Sequence, residues 1–130
     1  MMKESYVSFK TAKLLEEVGF DEYCKKFYDH NGLLWGLKGV PSMLKGWYPC
    51  PTLELVQKWL RETKGIDVLV YIDFELLEIK SGKSRYSVQV LEGVNCFGEM
   101  HSFDCYEDAL ESGVQGYLKQ YHNERDTDKI

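Results

Sequence analysis

The stretch Ile66-Asp67-Val68-Leu69-Val70-Tyr71-Ile72-Asp73-Phe74 decides the fold. Ile66, Val68, Val70, Ile72 and Phe74 alternate with Asp67, Leu69, Tyr71 and Asp73. A period of two is the signature of a strand with one buried face. Just upstream, Leu55, Val56, Trp59 and Leu60 recur at helical spacing, and Gly65 separates the two rhythms. Pro51-Thr52 supplies the break and the N-cap of that helix, with Glu54 in its first turn near the positive end of the helix dipole.

Downstream, Ser81-Gly82-Lys83-Ser84 reads as a turn, with Leu76 to Ile79 as an extension of the strand before it. Tyr86, Val88 and Val90 then alternate with Arg85, Ser87 and Gln89, a second strand that ends at Glu92-Gly93. Cys96 to Phe103 gives a shorter third strand. A last helix follows, with Asp104 as N-cap and Glu107 three residues on, the spacing of a capping box. Its buried face is Ala109, Leu110, Val114, Tyr117, Leu118 and Tyr121. Gly113 and Gly116 cost helix propensity, so they predict close approach to the sheet. Residues 52–121 thus predict an α-β-β-β-α core around a three-stranded antiparallel meander, and 122–130 a frayed polar tail.

Toward the N-terminus, Ser8 caps a helix whose apolar stripe is Phe9, Ala12, Leu15 and Val18, with Gly19 as C-cap and Phe20 packing back. Cys24 to Tyr28 and Leu33 to Leu37 predict a hairpin around Asp29-His30-Asn31-Gly32, since Asn and Gly tolerate positive φ. Residues 38–51 hold three prolines and two glycines and read as a long irregular loop, a feature often tied to function. The expected fold class is α+β in a single domain spanning 1–130, of which 1–51 form the N-terminal helix, hairpin and Gly/Pro loop.

Composition narrows the function. The chain has 130 residues, 44% hydrophobic and 14% aromatic, which excludes a disordered chain. No apolar run approaches the ~20 residues that cross a bilayer, and Met1 to Tyr6 lacks the apolar core of a signal peptide. With Cys24, Cys50, Cys96 and Cys105 showing no C-x-x-C pair, the expectation is a cytoplasmic protein with free thiols and no metal site. A formal net charge of −5, with Lys25-Lys26 flanked by Asp21, Glu22 and Asp29, argues against nucleic acid or anionic membrane as partner.

The element order from Thr52 to Tyr121 resembles the double-stranded-RNA-binding domain. In that family a lysine-rich stretch opens the last helix. Here Asp104-Cys105-Tyr106-Glu107-Asp108 stands there, whose carboxylates would repel a phosphate backbone. A second resemblance rests on Ser5 to Glu22, on Cys50-Pro-Thr-Leu-Glu-Leu-Val-Gln-Lys-Trp-Leu-Arg-Glu62, and on Phe103 to Val114. These stretches resemble a group of small proteins of gut anaerobic bacteria and their phages and mobile elements. That group has no assigned activity, so the resemblance implies a context and no chemistry.

Neither a nucleophile elbow nor a phosphate-binding glycine loop is present, and no catalytic or cofactor-binding residues are assigned. Asp29-His30-Asn31-Gly32 shares its start with a calcium loop but lacks the closing Glu, and reads as a turn. His101 with Cys105, flanked by Glu99 and Asp104, can be drawn as a Cys–His pair. Asp67, Asp73, Glu75 and Glu78 read as the wet face of a one-sided sheet. The most distinctive feature is aromatic: Trp35, Trp47 and Tyr48 border the Gly/Pro loop, with Met43 and Leu44 inside it. They form either a lid on the core or a protein interface. The expected function is a non-catalytic protein that binds another protein or its own copy, an accessory protein of a phage or mobile element. Two other readings stay open: an enzyme with an unrecognised site, and an acidic decoy of a nucleic-acid-binding protein.

Overall fold

A computed structural model describes residues 4–36, 46–75 and 84–128, with the side chains of 122–128 excepted. Ser8 caps α1 (Phe9–Glu17) by accepting the Thr11 N–H at 3.3 Å. Ala12, Leu15 and Val18 are buried, and Phe20 folds back, its N–H donating to Leu15 O at 3.0 Å and its ring meeting Trp59 edge-on at 5.2 Å. The hairpin expected next is formed by β1 (Lys26–Tyr28) and β2 (Leu34–Gly36), antiparallel with Phe27 opposite Trp35.

The sequence reading missed β3 (Tyr48–Pro49), inside the stretch read as irregular loop. It pairs with the other side of β1 and completes a first sheet of order β2-β1-β3. Two residues, one of them a proline, carry no periodic signal, and tertiary pairing makes the strand. The N-terminal segment closes over this region. Val7 N–H donates to Pro51 O at 3.1 Å and Leu53 N–H to Ser5 O at 2.8 Å. The Tyr28 hydroxyl donates to Val7 O at 2.7 Å.

Thr52 caps α2 (Leu53–Trp59), accepting the Leu55 N–H at 3.2 Å. The helix widens into a π-helical turn, Leu60–Lys64, before Gly65. Here the Thr63 hydroxyl donates to Trp59 O at 2.6 Å. Leu53, Val56, Trp59 and Leu60 are buried, so the stripe starts two positions N-terminal of the expected start at Leu55.

The second sheet has order β4-β5-β6: β4 (Ile66–Ile72), β5 (Tyr86–Glu92) and β6 (Asn95–Phe103), antiparallel throughout. This is the expected meander. Its inner face carries Ile66, Val68, Val88 and Val90. The burial fades toward the end of β4, where Ile72 is 42% exposed, and Phe74, which the alternation placed on the same buried face, lies past the strand in a helical turn and is 76% exposed. Periodicity fixes which face a residue takes and does not say how far the covering layer reaches.

That layer is α3 (Tyr106–Asp128), which runs past the boundary expected at residue 121. Its cap is Cys105 and not Asp104. The Ala109 N–H donates to Cys105 O at 3.3 Å and the Asp108 N–H bonds the Cys105 sulfur, while the Asp104 carboxylate accepts the Ser84 hydroxyl. Gly113 explains the close seat of α3. A Cβ there would lie 2.7 Å from Val88 Cγ2 and 2.8 Å from Val68 Cγ1. Leu110, Val114, Leu118 and Tyr117 fill the space between helix and sheet.

The two helices α1 and α3 are joined by a polar cluster. The Glu111 carboxylate accepts from the Ser8 N–H and the Thr11 hydroxyl, both at 2.9 Å, and Gln115 Nε2 donates to Thr11 Oγ1 at 2.8 Å. Thr11 is fully buried and thereby satisfied. The protein is α+β, and among the described residues it has three named helices and two three-stranded antiparallel sheets. Among the described residues no helix is long and apolar enough to cross a membrane.

Candidate functional site

The aromatic candidates converge on the first sheet, where one carboxylate organises the hairpin. Asp29 Oδ1 accepts the Asn31 N–H at 2.9 Å and the Leu33 N–H at 3.0 Å, and Oδ2 accepts the Trp35 indole N–H at 3.0 Å. The indole bond and then the Leu33 N–H hold the Asp29 carboxyl below its usual range, since both favour the ionised form. The tetrapeptide is therefore a turn, as its sequence suggested. Gly32 takes φ +84° there, and the Phe9 ring lies 3.0 Å from where its Cβ would stand, so glycine is required twice over.

The ladder fixes which backbone groups of β2 are spent. Asp29 N–H donates to Leu33 O at 2.9 Å, which makes Asp29 and Leu33 a hydrogen-bonded pair. An antiparallel ladder alternates such pairs with non-bonded ones. Trp35 opposite Phe27 is then bonded, whereas Leu34 and Gly36 turn their N–H and C=O away from β1. Leu33, Leu34 and Trp35 are 59%, 45% and 47% exposed.

Of the five expected interface residues, Trp35 faces outward on β2. Trp47 and Tyr48 are half-buried and pack on the core. Met43 and Leu44, with the rest of 37–45, lie outside the described residues. Trp35 and Trp47 are neighbours, ring centroids 6.0 Å apart, and Phe9 bridges inward to Tyr28 at 5.5 Å and Tyr48 at 5.7 Å. His30 Nδ1 lies 3.2 Å from Gly46 O and links the turn to the start of β3. The reading from sequence missed Leu33 and Leu34 as part of the exposed surface, and Asp29 as its organiser. The Asp-x-Asn-Gly turn and the unbroken apolar run after it were the available signals.

The other sheet edges carry features that β2 lacks. Cys50 N–H donates to Lys26 O at 2.9 Å, so Phe27 opposite Pro49 is a non-bonded pair, and Pro49 presents its outward side without a donor. On β4, Gln57 Nε2 donates to the outward Val68 O at 2.7 Å. β6 carries two register shifts against β5, which bend an edge away from straight pairing. Among the described residues nothing pairs with the outer side of β2.

The open face of the second sheet holds the chain's closest approach to a catalytic cluster. Tyr71 OH donates to Glu99 Oε1 at 2.7 Å, and His101 Nδ1 lies 3.0 Å from Ser87 Oγ and 3.6 Å from Asp73 Oδ2. His101 Nε2 lies 3.9 Å from Glu99 Oε2. Burial, then the Glu99 hydrogen bond, pushes the Tyr71 phenol up to about 12. Ser87 is fully buried beneath these groups and cannot meet a substrate carbonyl. The same His101 nitrogen serves both Ser87 and Asp73, unlike a relay in which opposite nitrogens serve nucleophile and orienter. The cluster satisfies a buried hydroxyl.

His101 thus turns to Ser87 and two carboxylates rather than to Cys105, whose sulfur is engaged at the cap. The Asp108 N–H pulls the Cys105 pKa down, but burial and the Asp108 and Glu107 carboxylates outweigh it and leave the thiol raised. Burial likewise pushes Cys24 up to about 12 and raises Cys50. Raised thiols make poor nucleophiles. A cleft of about 310 Å³ lies between Glu4-Ser5 and the starts of α2 and α3. Its polar lining is Glu4, Ser5, Thr52, Glu54 and Glu107, without a cysteine or histidine. Among the described residues no group of three or more His, Cys, Asp and Glu could hold a metal ion. No family model, curated protein or solved structure matches the chain.

Proposed function

We propose that this is a non-catalytic protein that acts by pairing another protein chain against β2. One observation carries the reading: among the described residues nothing pairs with the outer edge of β2 beside exposed Leu33, Leu34 and Trp35, while Pro49 lacks a donor on β3, Gln57 occupies an outward carbonyl of β4 and β6 is bulged. Natural sheets that do not use an edge blunt it, and extended segments bind by adding a strand to one that is left open. The acidic balance and the raised thiols support a protein partner over nucleic acid or covalent chemistry. Four free cysteines are in keeping with a reducing, cytoplasmic setting. The likeness of three stretches to small proteins of phages and mobile elements supports an accessory role there.

The test is affinity capture from native lysate with the wild type and with a Leu34→Ser/Trp35→Ser double variant. The reading expects a bound set that the variant loses while keeping its far-ultraviolet circular dichroism. The same proteins captured by both would remove β2 from the account.

A further inference from the structure

We infer that Lys64 is a charge-dependent latch: its ammonium, set between the Trp59 and Tyr121 rings, fastens the second half of α3 to the π-helical turn that ends α2. This device is independent of β2 and of whatever β2 binds.

Lys64 Nζ lies 5.0 Å from the Tyr121 ring centroid and 5.6 Å from that of Trp59. Both distances fall within the ~6 Å over which the negative face of an aromatic ring attracts a cation. Lys13 over Phe9 and Arg85 over Tyr86, at 5.1 and 5.0 Å, each join one ring close by in sequence. Lys64 instead joins two rings from two elements. Trp59 is buried at the end of α2, its ring against Phe20 at 5.2 Å. Tyr121 is half-buried on α3, its ring 5.9 Å from that of Tyr117, which meets Phe97 of β6 at 5.7 Å. The ammonium thus closes an aromatic row that runs from Phe20 to the long sheet.

The local backbone explains how a lysine comes to stand there. In an α-helix the residues over position 59 are those three and four places on, here Glu62 and Thr63. A carboxylate over the indole would meet the negative face of the ring. The chain instead widens at Leu60–Lys64, where the Gly65 N–H reaches back to Leu60 O. A turn closed over five residues brings residue 64 over residue 59. Gly65, at φ +68°, then releases the chain into β4.

Burial shows what the latch holds. Leu118 is fully buried, whereas Lys119 and Gln120 are exposed. Tyr121 is the next side chain to return to the body of the protein, and it does so beside Lys64. The helix runs on to Asp128. The part of α3 beyond Leu118 is therefore fastened at Tyr121, through a contact that needs a positive charge.

Residue-resolved amide exchange of the full chain tests this, comparing the wild type with Lys64→Met and Lys64→Arg. Methionine keeps an apolar stem and loses the charge, whereas arginine keeps the charge and also stacks on rings. The 121–125 amides should exchange roughly 2- to 30-fold faster in Lys64→Met, the span of a cation–π contact, and near the wild-type rate in Lys64→Arg. The 109–114 amides should keep their rates in both. Tyr121→Leu completes a double-mutant cycle, and beside it Lys64→Met should no longer change the 121–125 amides. Unchanged 121–125 amides in Lys64→Met, equal acceleration in both Lys64 variants, or an undiminished effect of Lys64→Met beside Tyr121→Leu overturns the proposal. The wild type gives a second reading by proton resonance. The Lys64 ε-protons, between two ring faces, should lie upfield of an ordinary lysine, and an ordinary position would also overturn it.

Discussion

β4, β5 and β6 run for seven, seven and nine residues, whereas β1, β2 and β3 run for three, three and two. The longer sheet is built around burial. α3 lies against its inner face, seated by Gly113, and its open outer face carries the hydrogen-bonded cluster of Tyr71, Ser87, Glu99 and His101. The shorter sheet cannot bury enough apolar surface to stand alone. It is held by Asp29, by the Tyr28 hydroxyl and by Phe9, and among the described residues nothing pairs with the outer side of β2. The difference teaches a division of labour: the long sheet supplies stability, and the short one, propped against it, can spend an edge on recognition.

The largest effect is expected in the long sheet's packing. Leu118 is fully buried between α3 and the sheet, and Leu118→Ala should cost ~2–5 kcal/mol in urea unfolding by leaving a cavity. Both sheets should melt together, because the short one depends on the long one; an intact hairpin after the core has melted would break the comparison. Next comes the joint between the two regions. Glu111→Ala removes the acceptor for the Ser8 N–H and the buried Thr11 hydroxyl, and should cost about 1–3 kcal/mol by the same measurement. Gly113→Ala sets about 1–3 kcal/mol of overpacking against Val88 and Val68 against ~1 kcal/mol of regained helix propensity. A net loss of up to about 2 kcal/mol is expected, and a gain would show that α3 can lift from the sheet.

The core half of this fold was legible because long periodic segments declare themselves. Ile66 to Phe74 and Ala109 to Tyr121 carry enough repeats for the buried face to be read. Even there, Ile72 proved exposed, because a neighbouring helix must extend far enough to cover a face, and Phe74 fell past the end of the strand. The site was legible only in outline. Trp35 stood out by composition, but its exposure depends on the Asp29 bonds and on which side β3 joins, and both are tertiary facts. A two-residue strand at Tyr48–Pro49 leaves no pattern, and the Glu111 cluster joins residues about a hundred positions apart.

The smallest effect is a pH dependence confined to the short sheet. Asp29 has its carboxyl lowered in the fold, so its support for the hairpin is complete above the unfolded value near pH 4. It fades as pH falls through the lower folded value. Exchange of the Trp35 indole N–H should speed up there before the β5 amides change; simultaneous loss of both would deny the hairpin its separate dependence on Asp29.

The most direct test of the central claim, that β2 keeps an unpaired outer side, is residue-resolved amide exchange on the dilute protein. The account predicts a protected Trp35 amide between unprotected Leu34 and Gly36 amides, the mark of a strand bonded on one side only. Equal protection at all three positions would mean that the edge is already covered, and would contradict it.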